Sequence, residues 1–460
     1  MWRPNLAARR GPRYTAIADA LADDIAHGRV LPGDRLPTHR DLADALGVTV
    51  GTVSRAYREA HNRGLLVGEV GRGTFVRRAD AGTLAPSLHI REPAEPDLID
   101  LSLNTMPMPD GVMLVGRALA ELAVDPRSAA LVSDYVPQPG LAEHRHAAVA
   151  YLARFGIHVD AEQVLVTAGA QHAIAVALMG LTRPGDGVLA GRVTYPATIA
   201  LCRTLHLRLH PVALDEHGLE PAALEEACKT HRPRVLYCMP NLQNPTGILM
   251  PHERRLQVVD ICRRHGVAIV EDDVYGFLLD PCPQPLCAVW PERGHYVTSF
   301  SKSIAPGLRV GYLVLPPGDQ APFLDALWST TVMAPPLLAE LATRWLRDGT
   351  AERLEYLRRD EAAARQVIAR EVLGEIAASA HPCAYQVWLP LPGRWQSGDF
   401  VARAMQRSVA VTPGEAFAVS RLAAPAIRIG LGAARSREQL RIGLQTIASL
   451  LHEASPQRIV

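Results

Sequence analysis

The sequence predicts two domains, a small N-terminal domain that is mostly helical and a larger α/β domain. Its 460 residues exceed what one domain of about 100–200 residues needs. At residues 79–97, prolines with small or polar residues break both helical and strand periodicity, as expected of a linker. Beyond this break, strand-like apolar runs alternate with helical stretches, which indicates a doubly wound domain with a mostly parallel sheet. We therefore expect domains at 12–78 and 98–460, the second ending in a smaller α/β lobe from about residue 335.

The overall composition is that of a globular protein, with a net charge of +1 and 48% hydrophobic residues. The N-terminus has arginines but no apolar region after them, so it does not indicate a secretory signal, and no apolar run approaches the ~18 residues of a membrane span. The seven cysteines include no CxxC pair, which argues against a disulfide framework or a structural zinc site and favours a reducing compartment. We expect a cytoplasmic protein with no membrane partner and no metal site.

Basic residues are distributed unevenly in two respects. Residues 1–80 hold 13 arginines and 9 acidic residues, a net charge of +4, whereas the rest of the chain has a net charge of −3, which suggests an anionic partner for the N-terminal domain. Of the 48 basic side chains, only Lys229 and Lys302 are lysines. Chemistry that needs a side-chain amine therefore has two candidates.

The N-terminal domain has the pattern of a helix-turn-helix. A helical stripe over residues 14–27 is followed by a second helix that Thr38 opens, with Asp41 three residues later as in a capping box, and that Gly47 ends. The next helix begins with small and hydroxyl residues, as a helix entering a major groove does. The tail LLVGEVGRGTFV predicts a two-stranded wing. From spacing alone, a small helical domain whose arginines are merely solvated is an equal alternative.

Three segments of this domain resemble, in order and spacing, the winged-helix domain of GntR-type bacterial regulators: LPTHRDLADALGV, TVSRAYREAHNRGLL and GRGTFV. The resemblance covers residues 12–78 and implies double-stranded DNA as a partner. It implies DNA contacts for residues of the second and third helices and of the wing tip, which are Arg40, Thr49, Thr52, Arg55, Arg72 and Gly73. Val50 stands where many relatives have arginine, so base preference is not carried over.

In the large domain, Lys302 lies in SFSKSIAPGLRVGY after a strand-like run, with Ser299 and Arg309 nearby. A lysine that forms an imine with an aldehyde cofactor must be held near a phosphate anchor, which a hydroxyl and a guanidinium would supply. The motif alone is weak, because a single lysine is usually a surface residue.

Four further segments strengthen the case. EDDVYGFL ends a strand with carboxylates that could keep a pyridine nitrogen protonated, and a tyrosine that could bond a ring oxygen. QNPTG presents a side-chain amide after another strand, TAGAQHAI presents the backbone N–H groups of a helix N-terminus, and RVTYPAT supplies Tyr195 to stack on a ring. Taken singly, each has an ordinary structural explanation.

Together these segments closely resemble fold-type I pyridoxal phosphate enzymes of the aspartate aminotransferase class, over about residues 97–450. The resemblance implies that Lys302 forms the Schiff base with pyridoxal 5′-phosphate, that Asp272 pairs with the pyridinium, and that Arg428 binds an α-carboxylate. It implies further cofactor contacts through the ring oxygen for Asn244 and Tyr275, and through the phosphate for Ala170, Gln171, Ser299 and Arg309.

Tyr135, in DYVPQPG, matches a tyrosine that reaches the phosphate of the neighbouring subunit, which implies a homodimer. Two positions depart from the pattern. Asn104 stands where relatives often have a glycine-rich substrate loop, and His144 replaces a usual apolar residue, so substrate choice is not carried over.

A GntR-type winged helix linked to an aminotransferase-like domain resembles the MocR family of bacterial transcription regulators. The resemblance implies a DNA-binding regulator that senses pyridoxal 5′-phosphate or an amino compound. Two alternatives remain: an active aminotransferase with a 2-oxo acid acceptor that carries a DNA-binding domain, and a cofactor-free regulator that uses the fold only to dimerise.

Overall fold

The computed structural model describes residues 2–4, 12–26, 30, 34–62, 65–69, 73–76, 97–107, 111–318, 320–374, 380–393, 395–420 and 424–453. The chain divides into two compact units, residues 1–84 and 85–460. Most of the segment expected to be a linker lies outside the described residues. Within the described parts of the chain, no helix is long and apolar enough to cross a membrane.

In the N-terminal unit, the described residues form three helices and one two-stranded antiparallel sheet: α1 (Arg13–Ala26), α2 (His39–Leu46), α3 (Val50–Asn62), β1 (Leu66–Glu69) and β2 (Gly73–Val76). Helix α2 begins after Thr38, whose hydroxyl accepts a hydrogen bond from the backbone N–H of Asp41 at 3.2 Å, and ends at Gly47, whose φ of 62° suits glycine. Ile17 of α1 and Val53 of α3 lie in one apolar core. The expected winged helix-turn-helix is confirmed.

The larger unit is an α/β structure in which helices alternate with strands. Its helices are α4 (Gly111–Val124), α5 (Pro126–Ser133), α6 (Ala142–Ala153), α7 (Ala170–Leu181), α8 (Pro196–Thr204), α9 (Pro221–His231), α10 (His252–His265), α11 (Leu286–Val289), α12 (Phe300–Ser303), α13 (Ala321–Thr331), α14 (Pro336–Arg347), α15 (Thr350–Leu373), α16 (Ser397–Met405) and α17 (Arg437–His452). Its strands are β3 (Ile99–Asp100), β4 (Val164–Thr167), β5 (Gly187–Gly191), β6 (Arg208–Val212), β7 (Leu214–Asp215), β8 (Gly218–Leu219), β9 (Val235–Cys238), β10 (Ala268–Asp272), β11 (Gly294–Ser299), β12 (Gly311–Val314), β13 (Gln386–Pro390), β14 (Val409–Ala410), β15 (Thr412–Pro413) and β16 (Ala426–Gly430).

Seven strands form the central sheet, in the order β4-β12-β11-β10-β9-β5-β6. Strand β12 runs antiparallel to both neighbours and the other four pairings are parallel, so the expected mostly parallel sheet is confirmed. Strands β9 to β11 are continuously buried apolar runs, as strands covered by helices on both faces must be. Their carboxyl ends share one edge of the sheet, where ligands of such folds bind.

A second, smaller lobe has its own sheet, in the order β13-β16-β15, and its own apolar core. This core takes Leu101 from the start of the unit, Ile368 from the second half of α15, and Leu444 from α17. Strand β3 pairs with β14 of the lobe. The chain that follows the expected linker is thereby fastened to the smaller lobe.

Replacing Leu444 with alanine tests how far this core stabilises the lobe. Leu444 is fully buried, so Leu444→Ala is expected to lower the free energy of unfolding by about 2–5 kcal/mol through lost burial and a residual cavity. Ile442, on the exposed side of the same helix at 47% exposure, is the matched control, and Ile442→Ala should change it by less than about 0.5 kcal/mol. Denaturant unfolding followed by tryptophan fluorescence measures both; equal effects would contradict the assignment of this core.

Candidate functional site

Asp272 lies at the carboxyl end of β10, and only one of its two carboxylate oxygens accepts a hydrogen bond from the described residues. The hydroxyl of Tyr237, on the neighbouring strand β9, donates to Asp272 Oδ2 at 2.6 Å. Among the described residues, Asp272 Oδ1 is buried with no hydrogen-bond partner. Burial raises the pKa of Asp272 to about 7, although the hydrogen bond from Tyr237 opposes the rise. An unsatisfied buried carboxylate oxygen suits a ligand that brings an N–H donor.

Lys302 follows β11 on the short helix α12, and its ammonium group is turned inward. Its Nζ donates to the main-chain carbonyl of Asn104, and its own carbonyl accepts from the Tyr385 hydroxyl at 3.1 Å. Burial, and then the charge of Arg428, lowers the pKa of Lys302 to about 8, against the opposing charge of Asp272. Near neutral pH a useful fraction of this amine is therefore uncharged and nucleophilic.

Arg428 of β16 is a buried cation whose contacts fix the orientation of a neighbouring amide. Its Nη1 donates to Asn244 Oδ1 at 3.1 Å and its Nη2 to the Ser102 carbonyl, while its guanidinium carbon lies 4.7 Å from the centre of the Phe417 ring. Burial lowers the pKa of Arg428 to about 10. Because Asn244 Oδ1 is engaged, its Nδ2 remains to serve as a donor to a ligand.

The N-terminus of α7 provides a site for an anion. Gly169 precedes the helix with a φ of 88°, a conformation that favours glycine. A Cβ at this position would lie 2.7 Å from Arg309 Nη2, so a larger residue would also displace this guanidinium. Arg309 is fixed by the Ala168 carbonyl at 3.0 Å and by Ser301 Oγ at 3.2 Å. Within the described residues, Ser299 Oγ is buried and has no partner. Helix N–H groups, a guanidinium and a hydroxyl together form a set of phosphate ligands; Ala170 and Gln171 supply the first turn of α7.

These groups fit pyridoxal 5′-phosphate. Asp272 Oδ1 and Ser299 Oγ are buried polar atoms for which the described chain supplies no partner, and they match a ring nitrogen and a phosphate. Asn244 and Tyr275 present polar groups for a ring oxygen, Tyr275 being buried. Lys302 supplies the amine.

The segment 101–107 crosses the site in contact with three cations. The carbonyls of its alternate residues Ser102, Asn104 and Met106 accept from Arg428, Lys302 and Arg358 respectively. Leu101 exchanges backbone hydrogen bonds with the smaller lobe, donating to the Ala410 carbonyl at 2.8 Å and accepting from the Gly430 N–H at 2.7 Å. We call residues 101–107 the strap. It connects Lys302 and Arg428 to the chain that follows the expected linker.

Three other residues named from the sequence have distinct surroundings. Tyr195 precedes α8 and is half-buried, and burial raises its pKa to about 12. Tyr135 lies after α5 and is 84% exposed, so within one chain its ring is available to a partner. His144 is buried on α6 and its Nε2 lies 3.1 Å from Glu340 Oε2 on α14, which explains how a polar side chain replaces an apolar one.

Sequence reasoning missed Tyr237 and Gln386 as residues of this site. Gln386 lies on β13 and its Oε1 accepts from Asn104 Nδ2 at 2.9 Å. Tyr237 lies near the end of a strand that the sequence predicts. Its contact with Asp272 was missed because it requires β9 and β10 to be neighbours in the sheet. A rule that adjacent strand ends share polar partners would have identified Tyr237, whereas no sequence signal points to Gln386.

In the N-terminal unit, α2 and α3 present an exposed polar surface. Arg40 and Arg55 are exposed, and Thr49 Oγ1 lies 2.9 Å from Thr52 Oγ1 at the start of α3. Gly73 is the first residue of β2, whereas Arg72 lies outside the described residues. The start of α3 thus combines hydroxyls and a guanidinium, as in a helix that reads a major groove.

Comparisons with known proteins agree with both units. Residues 96–447 match the family model described as Aminotransferase class I and II, and residues 13–76 match Bacterial regulatory proteins, gntR family. The chain is 31% identical over 462 residues to the uncharacterized HTH-type transcriptional regulator YdeF of Bacillus subtilis, covering 98% of this chain and 97% of that protein. It is 29% identical to the HTH-type transcriptional regulator TauR of Rhodobacter capsulatus over 89% of this chain and 90% of that protein.

Among solved structures, the larger unit is similar to LysN, the alpha-aminoadipate aminotransferase of Thermus thermophilus, complexed with N-(5′-phosphopyridoxyl)-L-leucine. The TM-score is 0.69 at 26% identity, covering 77% of this chain and 92% of that chain.

The reactivity of Lys302 toward 1-fluoro-2,4-dinitrobenzene, an electrophile that does not itself ionise, tests its surroundings. Because only the uncharged amine reacts and the pKa of Lys302 is about 8, the arylation rate of the cofactor-free protein should rise about tenfold per pH unit below pH 8 and level off above it. Peptide mass spectrometry separates Lys302 from Lys229, an exposed comparison on α9 that pairs with Glu225 at 3.2 Å. A Lys302 rate still rising tenfold between pH 9 and 10 would contradict the lowered pKa.

Proposed function

The chain belongs to the Aminotransferase class I and II family and joins that fold to a gntR-type winged helix, the MocR-type architecture, and from this premise we propose that it is a transcription regulator responsive to pyridoxal 5′-phosphate and to an amino compound. The observation that carries the proposal is that one chain combines a winged helix with a cleft whose unsatisfied atoms fit the cofactor. The relatives named as HTH-type transcriptional regulators match 98% and 89% of this chain and support the same interpretation.

Bound pyridoxal 5′-phosphate would supply an aldehyde that reacts with amines and a ring that withdraws electrons. Lys302 provides the competing amine of the protein itself. Asp272 Oδ1 would share a proton with the ring nitrogen, and the N–H groups of α7 with Arg309 would hold the phosphate. Tyr195 would pack against the ring.

Arg428 is the group that would recognise an effector carboxylate. A carboxylate offers a stronger, charge-assisted acceptor than the Ser102 carbonyl that Arg428 now contacts, so binding would free the strap at that point. An effector that also displaces Lys302 would change the second contact, at Asn104. We expect an amino acid or a similar amino carboxylate to act in this way.

The strap connects the site that would bind the effector to the part of the chain that leads to the winged helix. It begins only a few residues after the expected linker at 79–97, and it is paired to the smaller lobe through β3 and β14. A change at its contacts with Arg428 and Lys302 would therefore reposition the chain that leads to the winged helix. In a homodimer, this would alter the spacing of two winged helices and their fit to operator half-sites, about 34–36 Å or a multiple apart. The exposed Tyr135 supports a dimer in which it contacts a second chain.

Replacing Lys302 tests the sensing half of the proposal. Because the chain has two lysines, borohydride treatment with pyridoxal 5′-phosphate should attach the cofactor at Lys302 in the wild type and in Lys229→Ala, the matched control, but not in Lys302→Ala. In Lys302→Ala the response of operator binding to cofactor and amines should be lost, measured by fluorescence anisotropy.

An unchanged response in Lys302→Ala would show that the switch does not depend on this lysine. Sustained amino-group exchange between an amino acid and a 2-oxo acid by the wild type would instead support the aminotransferase alternative. Absence of any borohydride attachment would support a cofactor-free regulator.

The DNA-binding half is tested by salt. Affinity for operator DNA should fall steeply with salt concentration, and Arg40→Ala should weaken binding and reduce the slope of log K against log salt by about one, because one phosphate contact is lost. Arg203→Ala, which removes an exposed arginine of α8 in the other unit, is the matched control and should leave both unchanged. A flat salt response of the wild type would overturn the regulatory proposal.

A further inference from the structure

Two side-chain contacts fix the orientation of the Asn104 amide. Asn104 is buried, at 8% exposure, and its amide contacts two side chains: Nδ2 lies 2.9 Å from Gln386 Oε1 and 2.6 Å from the hydroxyl of Tyr275.

Gln386 determines which end of the Asn104 amide faces Tyr275. Gln386 Nε2 donates to the main-chain carbonyls of Leu242 at 3.3 Å and Gln243 at 3.2 Å, which leaves Oε1 as the atom facing Asn104. Only an N–H group can meet that oxygen, so the Asn104 group between Gln386 and Tyr275 is Nδ2. Consistently, Asn104 Oδ1 has no partner among the described residues.

The hydroxyl of Tyr275 consequently accepts a hydrogen bond from Asn104. Its own proton is not required for that contact and is left to donate elsewhere. The side chain of Asn244 is oriented in a similar way. Its Oδ1 accepts a hydrogen bond from Arg428, which leaves its Nδ2 free to donate to a ligand. Two donors, each oriented by a second residue, are thus available to a single ligand oxygen.

We infer that Asn104 is a positioning residue that, held by Gln386, directs the Tyr275 hydroxyl proton toward the ring oxygen of bound pyridoxal 5′-phosphate. The inference rests on the proposed function, since it requires that cofactor in the cleft. A donated hydrogen bond stabilises negative charge on the ring oxygen. With the cofactor bound, the ring oxygen would share a proton with the Lys302 nitrogen, and loss of this proton would change the visible absorbance. A hydrogen bond donated by Tyr275 to the ring oxygen would lower the pKa of the shared proton. Asn104, by orienting Tyr275, would therefore lower the pH at which the absorbance changes.

Among the described residues, the other charged and titratable groups around Tyr275 are Arg428, Asp272, Tyr195 and Tyr385, the last with its ring centre 5.8 Å from that of Tyr275. Lys302 lies beside Asn104 itself. None is altered when the Asn104 side chain is shortened. The main-chain carbonyl that accepts from Lys302 is also retained in Asn104→Ala. A change in the titration of this variant therefore reports the lost amide.

The experiment is a visible-absorbance pH titration of the full-length protein loaded with pyridoxal 5′-phosphate. Asn104→Ala should raise the midpoint by about half to one pH unit, the size of one net hydrogen bond. Tyr275→Phe should raise it at least as far, and adding Asn104→Ala to Tyr275→Phe should cause no further shift. Gln386→Ala should shift it in the same direction by less, and it provides the test should Asn104→Ala fail to fold.

The outcomes separate this inference from the proposed function. A wild-type protein that binds no cofactor would overturn the sensing proposal. A wild type that titrates normally, with a midpoint that neither Asn104→Ala nor Gln386→Ala moves, would overturn the role of Asn104 and leave the sensing proposal standing. A shift of equal size in the Tyr275→Phe background would also overturn it, because Asn104 would then act without Tyr275.

Discussion

Three cations held by one short segment, the strap, are the constraint on which the cleft depends. Lys302, Arg428 and Arg358 lie in the cleft away from bulk water, where an ammonium or guanidinium is costly unless its donors are satisfied. The strap satisfies one donor of each cation through a main-chain carbonyl, and these carbonyls belong to the alternate residues Ser102, Asn104 and Met106. The strap and the cations therefore hold each other in place.

The smaller lobe is shaped to admit the strap. A Cβ at Gly430 would meet the Leu103 carbonyl, so β16 carries glycine where the strap passes over it. The same strand carries Arg428, so one five-residue strand supplies both the space for the strap and a cation that holds it. Any ligand that competes for Arg428 or Lys302 acts on a segment that is continuous with the expected linker and paired with the lobe. In the proposed function, sensing and transmission would thus share the same few hydrogen bonds.

The sequence predicted those parts of the molecule that local pattern determines. Continuous apolar runs predicted β9, β10 and β11, and the capping pattern at Thr38 with Gly47 predicted the bounds of α2. The resemblance to fold-type I enzymes implied the roles of Asp272, Ser299 and Lys302. The structure places them at or just after the carboxyl ends of β10 and β11, which are parallel neighbours. Contacts that cross from one lobe to the other could not be predicted. Asn104 meets Gln386 across 282 residues of sequence, and nothing in either local pattern specifies that pairing.

The surroundings of Lys302 explain why this position carries one of the chain's two lysines rather than an arginine. Burial lowers the pKa of both Arg428 and Lys302, but Arg428 reaches only about 10 whereas Lys302 reaches about 8. The same surroundings therefore leave a guanidinium charged, fit to bind a carboxylate, and bring an amine close to neutrality, fit to attack an aldehyde. Lys229, exposed on α9 and paired with Glu225, has no such surroundings. In a chain that otherwise uses arginine for positive charge, Lys302 stands where arginine could not take its place, because only an amine can give up its proton there.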